Sequence, residues 1–312
     1  MQLSDEQTVL ITGANSKTSE ALARVFQASG RKNVIYTSSH PERVRLPALS
    51  PVLALDITNR KEVKDLCLRI QPNVIVNTAA FTNVDACETD KHTAWTVNVT
   101  AVEHLVQACR MTDAHLIHFS TDYVFDGEHG PYTEENTPNP LGYYGKTKLA
   151  SENVCLMSSI DYTIVRTNVL YGATQTLKPD FAMWVLRKLA ECKPFSVVKD
   201  QYSNPTLIDD LAYLVEKILQ TRAKGIFHSG SPDWLNRYEF ARKIAEVFKF
   251  DNRYISAVET ADLRQIAARP LRGGLVSLKA ETMFGMKFST VEHGLLTMRR
   301  QLQLMGHRQW AL

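Results

Sequence analysis

The sequence predicts an α/β fold: a doubly wound parallel sheet with helices on both faces and a smaller C-terminal lobe. Three observations carry that prediction. The first half of the 312 residues alternates short apolar runs with longer amphipathic ones. The short runs are nearly continuous in apolar residues, as strands covered on both faces are. After Arg166 the alternation loosens and Gly and Pro punctuation takes over, at Pro270, Gly273, Gly274 and Gly285.

The strand runs are Thr8–Thr12, Asn33–Thr37, Pro51–Leu55, Asn73–Asn77, His115–Phe119 and Tyr162–Arg166. Between them, Leu22, Val25 and Phe26 mark one helix face, and Val63, Leu66 and Ile70 a second. Val97, Ala101, Leu105 and Ala108 recur at helical spacing along a third. Right-handed crossovers turn such βαβ units into a doubly wound sheet. Beyond Arg166 the spacing predicts helices over Asp180–Glu191, Ile208–Thr221, Arg237–Phe248 and Val291–Leu304, with strands at Phe195–Val198 and Gly225–His228. The chain divides into a sheet domain over 1–166, to which about 200–228 returns, and a discontinuous lobe built mainly from 167–312.

Composition narrows the function classes. Hydrophobic residues make up 44% and charged residues 22%, which excludes wholesale disorder. A net charge of +3 without charge blocks argues against nucleic acid or an anionic membrane as partner. No apolar run approaches the roughly 18 residues of a membrane helix, and the polar start Met1 to Gln7 is unlike a signal peptide. The five cysteines (Cys67, Cys87, Cys109, Cys155, Cys192) form no C-x-x-C pair and read as reduced thiols, so a cytoplasmic location is expected. With no H-E-x-x-H among nine histidines, no metal site is expected.

Chemistry collects at the ends of the strands. The first strand leads into Thr12-Gly13-Ala14-Asn15-Ser16-Lys17-Thr18-Ser19 and then a helix. Strand, tight turn and helix N-terminus suit a dinucleotide pyrophosphate, and equally an ordinary capped βα turn. The second strand ends Tyr36-Thr37-Ser38-Ser39, with Arg43 following and no acidic residue to bond a ribose 2′-hydroxyl. That leans toward NADP(H), with NAD(H) as the alternative. Tyr144 and Lys148 are four apart on one helix face, where an ammonium can lower a phenol's pKa and make it a proton donor. Ser120, Thr121 and Asp122 follow the strand His115–Phe119, and Thr78, Ala79 and Ala80 follow Asn73–Asn77. These strand ends converge on one crevice.

These segments resemble the extended short-chain dehydrogenase/reductases, most closely the dTDP-4-dehydrorhamnose reductase branch. The most specific match is Ser120-Thr121-Asp122-Tyr123-Val124-Phe125-Asp126-Gly127, about twenty residues before Tyr144-Gly145-Lys146-Thr147-Lys148. The resemblance covers nearly the full length. It implies a Rossmann-like dinucleotide-binding domain over 1–166 and a substrate-binding lobe over 167–312. It implies that Thr121 bonds the substrate carbonyl, Tyr144 donates the proton, and Lys148 lowers the tyrosine pKa and holds the nicotinamide ribose. Gly13, Asn15, Ser16, Lys17 and Thr18 would line the pyrophosphate, Asp56 and Ile57 the adenine, and Thr78 to Ala80 the ribose. Asn98 would support the proton relay, and Phe81, Val84, Asp122, Tyr123 and Asn168 would face the sugar. The implied reaction is reduction of the C4 ketone of a nucleotide-linked 6-deoxy sugar.

The chain departs from the branch in two places. Ser16 and Ser19 stand where the turn T-G-x-x-G-x-x-G has its second and third glycines. Val169 follows Arg166-Thr167-Asn168, a form shared with the regulatory β subunits of methionine adenosyltransferase. The alternatives are therefore a non-catalytic subunit of that kind, or a sugar-nucleotide epimerase or dehydratase. A homodimer is compatible with the resemblance. The magnesium-bridging carboxylate of some dimeric members falls at Ala21, so no such metal is expected.

Overall fold

The computed structural model describes residues 7–46, 52–175 and 179–307. Its strands are β1 (Val9–Thr12), β2 (Val34–Ser38), β3 (Val52–Ala54), β4 (Val74–Asn77), β5 (His115–Thr121), β6 (Tyr162–Thr167), β7 (Leu170–Tyr171), β8 (Phe195–Val198), β9 (Tyr202–Ser203), β10 (Thr206–Leu207), β11 (Gly225–Ser229), β12 (Leu235–Asn236) and β13 (Ile255–Val258). Its helices are α1 (Lys17–Ala28), α2 (Arg60–Ile70), α3 (Val84–Thr89), α4 (Lys91–Trp95), α5 (Ala101–Thr112), α6 (Tyr143–Leu156), α7 (Phe181–Ala190), α8 (Ile208–Thr221), α9 (Arg237–Val247), α10 (Leu278–Phe284) and α11 (Val291–Leu304).

Seven parallel strands form the central sheet in the order β11-β6-β5-β4-β1-β2-β3. One face is covered by α1 and α8, whose Leu22, Val25 and Phe26 pack with Leu211, Val215 and Ile218. The other face is covered by α2 and α5, through Val63, Leu66, Val102 and Leu105, with Cys155 of α6 beside them. The doubly wound sheet read from the sequence is present. β5 runs two residues further than its apolar stretch, because Ser120 and Thr121 still pair with Arg166 and Thr167 of β6. Pro51, placed at the head of the third strand, lies outside the described residues.

A second core gathers Tyr171, Leu186, Phe195, Phe240, Ile244, Leu295 and Met298, from α7, α9, α11 and the strands near them. There β8 pairs in parallel with β13. Among the described residues, no helix is long and apolar enough to cross a membrane.

Candidate active site

The strand order reverses between β1 and β4, and a sheet of this kind takes its ligand in the crevice outside the carboxyl ends at that point. Gly13 leaves β1 with φ +72°, and a Cβ there would lie 2.7 Å from the Ala79 nitrogen. Only glycine meets both conditions. Ser16 then caps α1, its hydroxyl accepting from the Ser19 N–H at 3.1 Å. Ser19 is fully buried and donates to the Gly13 carbonyl at 3.1 Å. Both serine hydroxyls lie 2.9 Å from Thr78 Oγ1, which donates to the Thr12 carbonyl at 2.7 Å. The two serines are thus absorbed into a hydroxyl cluster that ties β1, α1 and the loop after β4 together.

A cavity of about 230 Å³ opens beside this turn, lined by Gly13, Asn15, Ser16, Asp56, Ile57, Thr78, Ala79 and Ala80. Ser39, Leu55, Thr58 and Val97 complete its wall and were not picked out from the sequence as cofactor contacts. Three expected cofactor contacts lie elsewhere. Ser38 is buried, its hydroxyl accepting from the His40 N–H at 3.0 Å, and strand alternation turns Ser39 to the cavity instead. Arg43 stands in solvent next to Glu42, 3.5 Å away. Lys17 is held by Asp180 at 2.6 Å, which joins α1 to the N-cap of α7.

A second cavity of about 250 Å³ also touches Thr78 and Ala80 and is lined by Thr18, Ser120, Thr121, Tyr144, Lys148 and Asn168. Thr82, Phe119, Thr167, Leu170 and Leu211 share its wall, residues with no local signature of their own. Gly145 explains how α6 reaches the site. A Cβ there would run into the Tyr123 carbonyl, so the helix docks directly on the turn after β5. Tyr144 thereby lines the same cavity as Thr121, whose hydroxyl donates to Asp122 Oδ1 at 3.2 Å.

Burial holds the Tyr144 phenol above its usual range; the nearby Thr121 hydroxyl opposes the rise and the Asp122 carboxylate adds to it. Lys148 Nζ lies 3.3 Å from His118 Nε2, and burial brings the ammonium down to about 8. Asp122 is buried behind Thr121, where desolvation lifts its carboxyl to about 6 against the pull of Arg237. Three buried polar atoms on the cavity's lining residues lack a partner: Ser120 Oγ, Thr167 Oγ1 and Asn168 Nδ2.

Asn98 sits in a π-helical turn, Thr96–Thr100, and lines neither cavity. Its Oδ1 accepts from the Phe81 N–H at 2.7 Å, and its Nδ2 donates to the Phe81 carbonyl at 3.1 Å and the Thr147 hydroxyl at 3.0 Å. It pins the loop after β4 to α6. Phe81 and Val84 lie on that loop and at the start of α3, also outside both cavities. Tyr123 faces a third cavity, of about 410 Å³, with Phe181, Trp184, Gln201, Arg237 and Arg269. Arg237 lies 5.0 Å over the Phe181 ring. It is more than a hundred residues from Tyr123 in sequence, and nothing local marks it. Among the described residues, no group of three or more His, Cys, Asp or Glu could hold a metal ion.

The model of the RmlD substrate binding domain family matches residues 7–304. The chain belongs to that family. Relatives that share its length include a dTDP-4-dehydrorhamnose reductase of Aggregatibacter actinomycetemcomitans, 31% identical over 93% of this chain and 98% of that protein. They also include the methionine adenosyltransferase 2 subunit beta of Mus musculus, 32% identical over 88% of this chain and 82% of its own length. The Bacillus anthracis dTDP-4-dehydrorhamnose reductase, solved in complex with NADP, superposes with a TM-score of 0.85 at 27% identity, covering 95% of this chain and 99% of the other. The RmlD family fold thus spans both cores of this chain.

Proposed function

We propose that this RmlD-family chain reduces the C4 ketone of a nucleotide-linked 6-deoxy sugar, using NADP(H) in preference to NAD(H). The observation that carries the reading is the convergence of Thr121, Tyr144 and Lys148 on one cavity, next to the Gly13 crevice, with three partnerless buried polar atoms on the residues that line it. The crevice fits a dinucleotide: Gly13, where a Cβ would collide with Ala79, lets the backbone turn there, and Gly13, Asn15 and Ser16 line the cavity as β1 passes into the N-terminus of α1. Gly13, Asn15, Ser16 and Thr78 would hold the pyrophosphate, and Asp56 and Ile57 the adenine. The end of β2 itself carries Ser39 in place of an acidic residue, which favours a 2′-phosphate over a ribose 2′-hydroxyl. When bound, the reduced nicotinamide supplies a hydride.

The chain's own groups handle the oxygen. Thr121 donates a hydrogen bond to the ketone, and Tyr144 gives its proton to the oxygen as negative charge develops there. Lys148 at the cavity wall supports the phenolate that remains. Residues 1–166, with the returning strand β11, would bind the dinucleotide. The lobe over 167–312 would bind the sugar nucleotide, with Arg237 and Arg269 placed for its phosphates. Tyr144→Phe is expected to lower kcat by about 10²–10⁴-fold and to leave NADPH affinity within about twofold. Undiminished turnover would remove Tyr144 as the acid.

The similarity to a methionine adenosyltransferase β subunit favours a second reading, a regulatory subunit that keeps the fold. It predicts that this chain co-purifies with a methionine adenosyltransferase and changes that enzyme's kinetics. A catalytically competent chain with no such association would exclude it.

A further inference from the structure

Behind Lys148 lies a buried polar chain that the proposed reaction does not use. His118 on β5 is 1% exposed and Lys148 3%. The imidazole meets Asn77 through Nδ1 at 3.1 Å, Ser151 through Nε2 at 2.9 Å, and Lys148 Nζ through Nε2 at 3.3 Å. Which nitrogen carries the proton decides what Lys148 faces.

Both ends of the chain give the same answer. Asn77 Oδ1 already accepts from the Thr12 hydroxyl at 2.6 Å and the Ala79 N–H at 3.3 Å. Its Nδ2 therefore points to His118, and Nδ1 must accept. The Ser151 proton goes to the Lys148 carbonyl at 2.7 Å, so Ser151 can only accept from the ring. Nε2 therefore carries the hydrogen, and Lys148 Nζ faces a donor. The other charged groups around Nζ do not supply an inward acceptor. Glu152 on the same helix is bound by Arg166 of β6 at 2.7 and 2.9 Å, and Cys155 is a buried thiol whose own pKa is pushed up to about 12. Tyr144 and Thr121 stand on the cavity side.

We propose that His118 is the positioning residue behind Lys148: its fixed Nε2–H denies the inner side of Nζ an acceptor and turns the protons of Nζ outward, toward the cavity. The inference rests on the reading of Lys148 as part of a reductase site. A neighbouring N–H also loosens the lysine's proton, in the same direction as burial.

Long-range proton–nitrogen NMR of the histidine rings reads the tautomer directly. His118 is expected to be neutral and Nε2-protonated from about pH 6 to pH 9. An Nδ1–H tautomer, or an imidazolium in that range, would overturn the inference. The functional arm compares two uncharged replacements. His118→Asn keeps a partner for Asn77 but leaves no donor at Nζ, and should move the alkaline limb of kcat/KM up by about one pH unit. His118→Gln returns an amide N–H to the Nε2 position and should keep the limb in place. Equal shifts in both variants, or none in either, would mean a merely structural histidine. Wild-type protein that reduces no keto-sugar nucleotide would refute the functional reading while leaving the tautomer as derived. An active enzyme with the Nδ1–H form would refute this inference alone.

Discussion

Asp122 lies inside the protein between Thr121 and Arg237, and its carboxyl is lifted from 3.8 to about 6, chiefly by burial. The folded protein therefore binds this proton more tightly than the unfolded chain does. Ionised Asp122 costs stability in full above about pH 6, and the cost fades as pH falls toward 4. Asp122→Asn should raise Tm more at about pH 8 than at about pH 4; equal changes at both would contradict the buried-carboxyl picture. The residues around it were unevenly legible. The Tyr144–Lys148 spacing and the Ser120 to Asp122 run can be read locally, because four residues make one helical turn and a strand end is a strand end. Ser16 and Ser19 could be read as bulk in place of glycine, or Ser16 as a phosphate contact, but not as a packed cluster. Their partner, Thr78, lies about sixty residues away, and no local pattern announces that three hydroxyls will close a turn. Ser39 was within reach, since strand alternation alone turns one of two adjacent serines to the cavity.

At the scale of the element, α6 is the instructive case. Its buried residues are Gly145, Thr147, Lys148, Ser151, Glu152 and Cys155, mostly polar, with partners that include Asn98, His118 and Arg166. Leu149 and Val154, the apolar residues at helical spacing, are only half-buried. Hydrophobic periodicity finds a helix here but misplaces its face, because the partners that satisfy the buried polar residues sit on elements far away in sequence. Gly145→Ala should push α6 off the Tyr123 carbonyl and part Tyr144 from Thr121. We expect kcat to fall about tenfold or more, with a stability loss of about 1–3 kcal/mol. Steady-state kinetics and thermal melts of one preparation check both, and a lower Tm with unchanged kcat would show that the docking does not position the phenol.

At the scale of the molecule, the alternation of strands and helices was enough for the parallel sheet, and its reversal between β1 and β4 places the crevice. The second core was less legible. It joins Tyr171, Phe195, Phe240 and Leu295, and β8 pairs with β13 across about sixty residues, so proximity along the chain says little. What braces α6 against the sheet is the buried pair of Glu152 and Arg166, 0% and 2% exposed. Removing one partner leaves a buried charge unpaired, so Glu152→Ala should cost about 3–5 kcal/mol in chemical denaturation. A loss below about 1 kcal/mol would mean that water or a neighbour takes over Arg166.

One measurement tests the central proposal most directly: NADPH absorbance followed after mixing the protein with a nucleotide-linked 4-keto-6-deoxy sugar, for wild type beside Tyr144→Phe. Stoichiometric loss of NADPH with wild type and almost none with the variant is the predicted result. Equal rates for the two proteins, or no oxidation by wild type across such sugars, would contradict it.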